Sequence, residues 1–261
     1  MLALVQAVTE FLPVSSSGHL ILLPRLLGWS DQGLEFDIAT NTGTMLAVLV
    51  YFRRDVAGLA RGLTASLRPG GAGACEPEAR LAYALLWGTI PAGVAGLLIK
   101  DWVSGHGRDP RLIATTAIVY GVLLAVADRF GRKRRAVSTI GVREGFLIGC
   151  AQALALIPGT SRSGVTMTAA LGLGLTREAA ARFGFLLAIP IGLLVGAKQV
   201  FDIARGEVLG LSAASLAIGI GVSAVAGWAV IAGLLAWVRR RPLMPFAVYR
   251  IVLGIFLFAY F

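Results

Sequence analysis

Two cysteines occur in 261 residues, only 15% of the chain is charged, and 14 acidic residues face 24 lysines and arginines. Each shortage excludes something. Cys75 lies in a polar loop and Cys150 in an apolar run, so they form neither a disulfide framework nor a metal quartet. An ordinary soluble domain carries about 25% charged residues, so a soluble fold is excluded. Disorder is excluded by a hydrophobic content of 57%. The deficit of acid leaves a net charge of +10. In a soluble chain that charge would point to nucleic acid. Here the mean hydropathy is +0.79 and the basic residues occupy short loops between apolar runs. The partners expected are therefore membrane lipids with anionic headgroups, and no nucleic acid.

A bilayer-spanning helix needs about 20 mostly apolar residues. Six segments qualify: Phe36 to Phe52, Leu81 to Ile99, Leu112 to Ala127, Phe183 to Phe201, Leu211 to Val238 and Phe246 to Phe261. Two further apolar regions are interrupted near their centres. Met1 to Leu27 is broken at Pro13 to Gly18, and Glu144 to Leu175 at Pro158 to Gly164. Lipid cannot satisfy irregular backbone, so both breaks are expected to face an internal cavity. The first segment does not read as a signal peptide, since no basic residue precedes its apolar run and Glu10 sits within it. The chain is expected to begin inside a helix, with a few residues preceding it.

Loop charge gives the orientation. Arg53 to Arg80 holds five basic residues, Arg129 to Arg143 six, Arg177 and Arg182 two, and Arg239 to Arg241 three. These are expected on the cytoplasmic side. The loops with Arg25, Asp31 and Glu35, with Lys100 to Arg111, and with Lys198 to Glu207 are nearly neutral together and go outside. Six spans alternate correctly only if the first broken segment enters and leaves from outside and the second from the cytoplasm. The expected fold is thus an all-α polytopic membrane protein forming one membrane domain over 1–261. It has six transmembrane helices, two opposed re-entrant helical hairpins (1–27 and 144–175), and an inverted-topology repeat of about 1–130 and 140–261. At a constant offset of 146, Gln6 aligns with Gln152, Ala7 with Ala153, Ser15 with Ser161, Ser17 with Ser163, and Gly18 with Gly164. The matches fall on the two breaks, where inverted-repeat membrane proteins place binding sites.

Ionisable groups at membrane depth are costly and are functional candidates by default. Gln6 and Glu10 stand four residues apart, on one helix face. His19 follows Ser15, Ser16, Ser17 and Gly18. Arg162 lies within Pro158-Gly159-Thr160-Ser161-Arg162-Ser163-Gly164, and an arginine buried there needs an anion, for which its planar fork suits a phosphate. Gly and Ser around it let backbone N–H groups approach, and each following half-helix offers a positively polarised N-terminus. Two such ends with an arginine describe a polyanion site. Asn41 to Thr44 form a polar patch that either lines the cavity or packs helices. His106 reads as a surface residue, and Arg250, after Tyr249, as an anchor snorkelling to the cytoplasmic interface.

Glu10-Phe11-Leu12-Pro13-Val14-Ser15-Ser16-Ser17-Gly18-His19, with Gln6 before it, and Pro158 to Gly164 resemble the two signature motifs of the bacterial undecaprenyl-pyrophosphate phosphatases, the integral-membrane family associated with bacitracin resistance. The resemblance extends over nearly the whole chain, including Phe183 to Pro190 and Pro245 to Arg250. It implies hydrolysis of undecaprenyl pyrophosphate to undecaprenyl phosphate and inorganic phosphate in the bacterial cytoplasmic membrane, recycling the lipid carrier of cell-wall synthesis. It also implies a divalent cation, Mg or Ca, with Glu10 and Gln6 as metal ligands. Gln6 departs from the fully acidic variant of the motif, which leaves Glu10 as the main hard-oxygen ligand.

The catalytic set expected is Glu10, Ser16, His19 and Arg162. Ser15, Ser17, Gly18, Gly159, Thr160, Ser161, Ser163 and Gly164 are expected to bind substrate, in a cavity open to the outer face. Ser16 attacking phosphorus, His19 acting as its base or as the nucleophile, and direct attack by water all stand open at this point. A homo-oligomer is likewise left open. The alternative from another class is a transporter or flippase of a phosphorylated lipid, for which the serines, Glu10 and His19 would be superfluous.

Overall fold

The computed structural model describes residues 1–16, 18–20, 27–28, 33–68, 76–99, 102–103, 105, 109–205 and 213–261. Expectations resting on Ser17, Arg25, Asp31, Cys75, Lys100, His106 and Glu207 lie outside the described residues. Among those described, helix dominates, and the one β feature is an isolated bridge between Arg135 and Leu175. The helices are α1 (Leu2–Phe11), α2 (Gly33–Tyr51), α3 (Arg53–Ser66), α4 (Pro77–Leu98), α5 (Pro110–Phe130), α6 (Val142–Ala153), α7 (Arg162–Gly172), α8 (Arg177–Ala204), α9 (Ala213–Arg240) and α10 (Met244–Tyr260). Short 3-10 turns occupy Val137–Thr139 and Leu154–Leu156.

Local chemistry fixes these ends. Pro77 and Pro110 open α4 and α5 in the first turn, where a missing N–H costs no helical bond. The Asp109 side chain accepts from the Arg111 N–H at 2.9 Å. α6 starts where the Glu144 carboxylate accepts from the Gly141 N–H at 3.1 Å.

Four helices are long and apolar enough to cross a membrane: Pro77–Leu98, Pro110–Phe130, Arg177–Ala197 and Ala214–Arg240. Large apolar side chains cover their outer faces, with Leu97 80% and Val225 74% exposed, an arrangement suited to lipid and unsuited to water. α2, with 19 residues, and α10, with 17, coincide with the other two expected spans.

Small residues bring the helices close, as membrane packing requires. A Cβ on Gly149 would land on the Gly88 backbone, and one on Gly145 on that of Ala84, so α6 lies directly against α4. Gly43 of α2 meets Ile220 of α9, and Gly254 of α10 would place a Cβ 2.7 Å from the Ala114 carbonyl of α5. α1 packs on α9 while α6 packs on α4. Each broken segment therefore leans on a long helix from the other half of the chain. Phe11, at the end of α1, is wedged edge-on against Phe185 of α8 with centroids 5.7 Å apart, and Phe185 meets Phe52 at 6.2 Å. That buried cluster fixes where the first break begins.

Ion pairs join the loops expected to share one face. Asp55 pairs with Arg182 at 2.6 Å, Glu144 with Arg135 at 2.7 Å, Glu178 with Arg239 at 2.8 Å, and Asp128 with Arg177. Buried Asp128 also accepts from the Leu243 N–H at 2.9 Å, tying α5 to the start of α10. The Arg135 guanidinium, hydrogen-bonded to Glu144, holds that carboxyl below the usual carboxylate range.

Candidate active site

Both breaks begin and end earlier than the sequence implied. α1 ends at Phe11, a turn covers residues 12–14, and helix resumes by residue 16. The second segment runs through α6 and a 3-10 turn, and α7 already starts at Arg162. Arg162 is thus the first residue of a half-helix and not part of the loop. The residues directly before the two restarts, Ser15 and Ser161, both adopt positive φ, +77° and +67°. Each hydroxyl accepts from the amide three residues on, Gly18 at 3.5 Å and Gly164 at 3.2 Å. A left-handed serine turns the chain sharply, and its side chain caps the helix that follows.

The two restarts converge on one carboxylate. Arg162 Nη2 donates to Glu10 Oε1 at 2.8 Å, and Ser16 Oγ donates to Glu10 Oε2 at 2.7 Å. Ser16 and Arg162 occupy equivalent positions at the 146-residue offset, so the repeat delivers a hydroxyl from one half and a guanidinium from the other. Gln6 Nε2 donates to Glu10 Oε2 at 3.2 Å and to Asn41 Oδ1 at 2.9 Å. That bond draws Asn41, itself exposed, into the polar cluster and away from a purely packing role. The Glu10 and Arg162 side chains retain 14% and 27% exposure, so the pair is accessible from one side. His19 is also part-buried and bonds Ser15 O through Nδ1 at 2.7 Å and Tyr249 OH through Nε2 at 2.5 Å.

The remaining candidates form the frame of this cluster. Ser163 Oγ donates to the Leu12 carbonyl at 3.0 Å, a bond between the two breaks, and lies 3.2 Å from Ser161 Oγ. Gly159 and Thr160 offer their carbonyls to Arg250 Nη2 at 3.1 and 2.7 Å. The Gly164 N–H is used by Ser161, and a Cβ on Gly164 would stand 2.5 Å from Arg250 Nη1.

Arg250 corrects an expectation. It is fully buried, not snorkelling, because it stands seven residues into a 17-residue helix, about 9 Å along the axis, where the Gly159 and Thr160 carbonyls lie within reach of its guanidinium. Its depth in an apolar run was the signal available in the sequence. Thr116 completes the brace, its hydroxyl donating to the Pro158 carbonyl at 2.7 Å. No sequence cue singles out Thr116, one threonine among several in an apolar span.

The oxygen donors fit a hard divalent cation that keeps water and takes ligands from a substrate. Gln6 Oε1 is buried with no hydrogen-bond partner beside the Glu10 carboxylate. Among the described residues no group of three His, Cys, Asp or Glu forms a cage by itself. One carboxylate and one amide oxygen suit Mg or Ca shared with phosphate oxygens.

Residues 1–256 match the family described as bacitracin resistance protein BacA. The chain is 53% identical over 260 residues to the undecaprenyl-diphosphatase of Magnetococcus marinus, covering 99% of this chain and 96% of that one. It is 48% identical over 261 residues to the undecaprenyl-diphosphatase of Nitrosococcus oceani, covering 100% and 97%. It is also 48% identical over 268 residues to undecaprenyl-diphosphatase 2 of Stutzerimonas stutzeri, covering 100% and 96%. With a match of that extent and four apolar helices of spanning length, the chain is an integral membrane protein and belongs to the BacA family.

Proposed function

We propose that this protein hydrolyses undecaprenyl pyrophosphate to undecaprenyl phosphate and inorganic phosphate. The observation that carries the reading is the meeting of Ser16 and Arg162 on the two oxygens of Glu10. A nucleophile, its proton acceptor and a phosphate-gripping fork stand within one hydrogen-bonded unit.

The diphosphate competes with Glu10 for Arg162, whose fork takes phosphate oxygens in two parallel bonds and stabilises charge spread over them in the transition state. Glu10 is then left facing the Ser16 hydroxyl. Ser16 Oγ attacks the terminal phosphorus while Glu10 receives its proton; the bridging P–O bond breaks, and the polyprenyl phosphate leaves. Glu10 gives that proton up to the departing polyprenyl phosphate. Water then attacks the phosphoserine, its proton passing to Glu10 and from Glu10 to Ser16 Oγ as the Oγ–P bond breaks and inorganic phosphate leaves. Gln6 and Glu10 would hold a Mg or Ca ion that, when bound, neutralises phosphate charge.

The membrane frame of this reading is six spans and two re-entrant hairpins from opposite faces of the bacterial cytoplasmic membrane, with the site open to the outer side. Support comes from loop charge, from the shared left-handed serines, and from the exchange of packing partners between α1 and α6. The polyprenyl tail stays in lipid between helices.

The test is phosphate release from a long-chain polyprenyl pyrophosphate by purified protein in detergent. Hydrolysis survives there and vectorial transport does not. Steady turnover supports the hydrolase. Absence of release, together with transfer of the intact lipid across proteoliposomes, supports a flippase instead.

A further inference from the structure

His19 has two ring nitrogens, and both are occupied. Nδ1 stands 2.7 Å from the Ser15 carbonyl oxygen. Nε2 stands 2.5 Å from the Tyr249 hydroxyl, and the two rings lie nearly parallel, 7° apart with centroids at 5.7 Å. A carbonyl has no proton to give, so Nδ1 carries the hydrogen. Neither partner is an anion, and an imidazolium at membrane depth without a counter-charge is costly, so the ring is neutral. Its single lone pair, on Nε2, therefore accepts from the Tyr249 hydroxyl.

This assignment removes His19 from the place the sequence left open for it. The Ser16 hydroxyl donates to Glu10, and the ring's basic nitrogen is already spent on Tyr249. What His19 does hold is the backbone. Its Nδ1–H fixes the carbonyl of Ser15, the left-handed residue whose conformation aims Ser16 at Glu10. Tyr249 lies on α10, immediately before Arg250, which clamps the second break. Consecutive residues of one helix thereby reach both breaks.

Resting on the hydrolase reading above, we propose that Tyr249 is a positioning residue for that reaction: its hydroxyl locks His19 in the Nδ1–H tautomer, and the locked ring holds the Ser15 turn that presents Ser16.

The chain has two histidines, His19 and His106, so the experiment is nitrogen-15 histidine labelling of the full chain in detergent, with His106→Gln to assign the signals. The proposal expects a protonated Nδ1 and an unprotonated, hydrogen-bonded Nε2 in the otherwise unaltered chain, and a displaced Nε2 resonance in Tyr249→Phe. Tyr249→Phe lowers kcat about tenfold and leaves KM within about twofold, since one hydrogen bond is lost and Tyr249 acts through His19. In a His19→Asn background, where an amide N–H still reaches Ser15 and nothing meets Tyr249, Tyr249→Phe causes no further loss. An Nε2-protonated or doubly protonated His19, an unchanged kcat in Tyr249→Phe, or additive losses in the double variant would overturn the proposal. Should the wild-type chain release no phosphate, the hydrolase reading fails, while the tautomer measurement still decides whether Tyr249 locks the His19 ring.

Discussion

Ser15 and Ser161 stand 146 residues apart, share a left-handed backbone, and cap the amide three residues on in the same way. A β-carbon is strained at that φ, and the hydroxyl offsets the strain by capping. Ser161→Ala keeps the strain and loses the cap; Ser161→Gly loses the cap and relieves the strain. Thermal unfolding in detergent is expected to place Ala below Gly by about 1 kcal/mol, with the same order at Ser15. Equal stabilities would show that the left-handed turn carries no cost.

Arg250 holds the second break by its carbonyls. Arg250→Met leaves the Gly159 and Thr160 carbonyls without that donor, a loss of about 2–4 kcal/mol. Arg250→Lys falls between, because one ammonium cannot reproduce the fork. Gly164→Ala acts on the same brace by displacing Nη1. All three are expected to lower the unfolding temperature and phosphate release together, which the two measurements in parallel would check.

Gln6 offers a neutral oxygen where a second carboxylate would bind a hard cation more tightly. Chelation of divalent cations is expected to lower phosphate release, and added Mg or Ca to restore it. Gln6→Glu is expected to lower the cation concentration for half-maximal rate about five- to tenfold, as one more charge joins the ligand set. A titration showing no shift would remove Gln6 from that set.

Glu144 titrates below its ordinary range because Arg135 stabilises its charged form. The depressed value means that the pair adds stability above the unfolded-state value, near 4.5, and loses it as pH falls through the lower folded value. The difference in unfolding temperature between wild type and Glu144→Gln is therefore expected to be steady at neutral pH and to shrink in acid below about pH 4. A gap that widens in acid would reverse the sign and contradict the assignment.

Apolar length and the two motifs made much of this legible in the sequence. Glu10, Arg162 and Ser16 stand out because charge and hydroxyls interrupt runs that lipid would otherwise fill. The helical periodicity that aligns Gln6 with Glu10 is local, so it was readable as well. Arg250 was misread because a basic residue in the first turns of an apolar helix resembles a snorkelling anchor; its depth in the run hinted at burial, but the distant carbonyls it binds come only from tertiary packing. Tyr249 was invisible for a related reason: its partner His19 is 230 residues away, and tyrosines near membrane interfaces are commonplace. The ends of the breaks were placed too late because Gly and Ser read as loop, whereas Ser161 caps α7 and Gly164 already lies inside it.

The central claim is that Glu10 and Arg162, brought to 2.8 Å from opposite halves of the chain, form one catalytic unit. Its most direct test is phosphate release in detergent by wild type, Glu10→Ala, Arg162→Ala and the double variant, with folding verified by thermal unfolding. Each single variant is expected to lose about 10²–10³-fold or more, and the double variant little beyond the worse single. Release at wild-type rate by either single variant, or fully multiplicative losses in the double, would contradict the account.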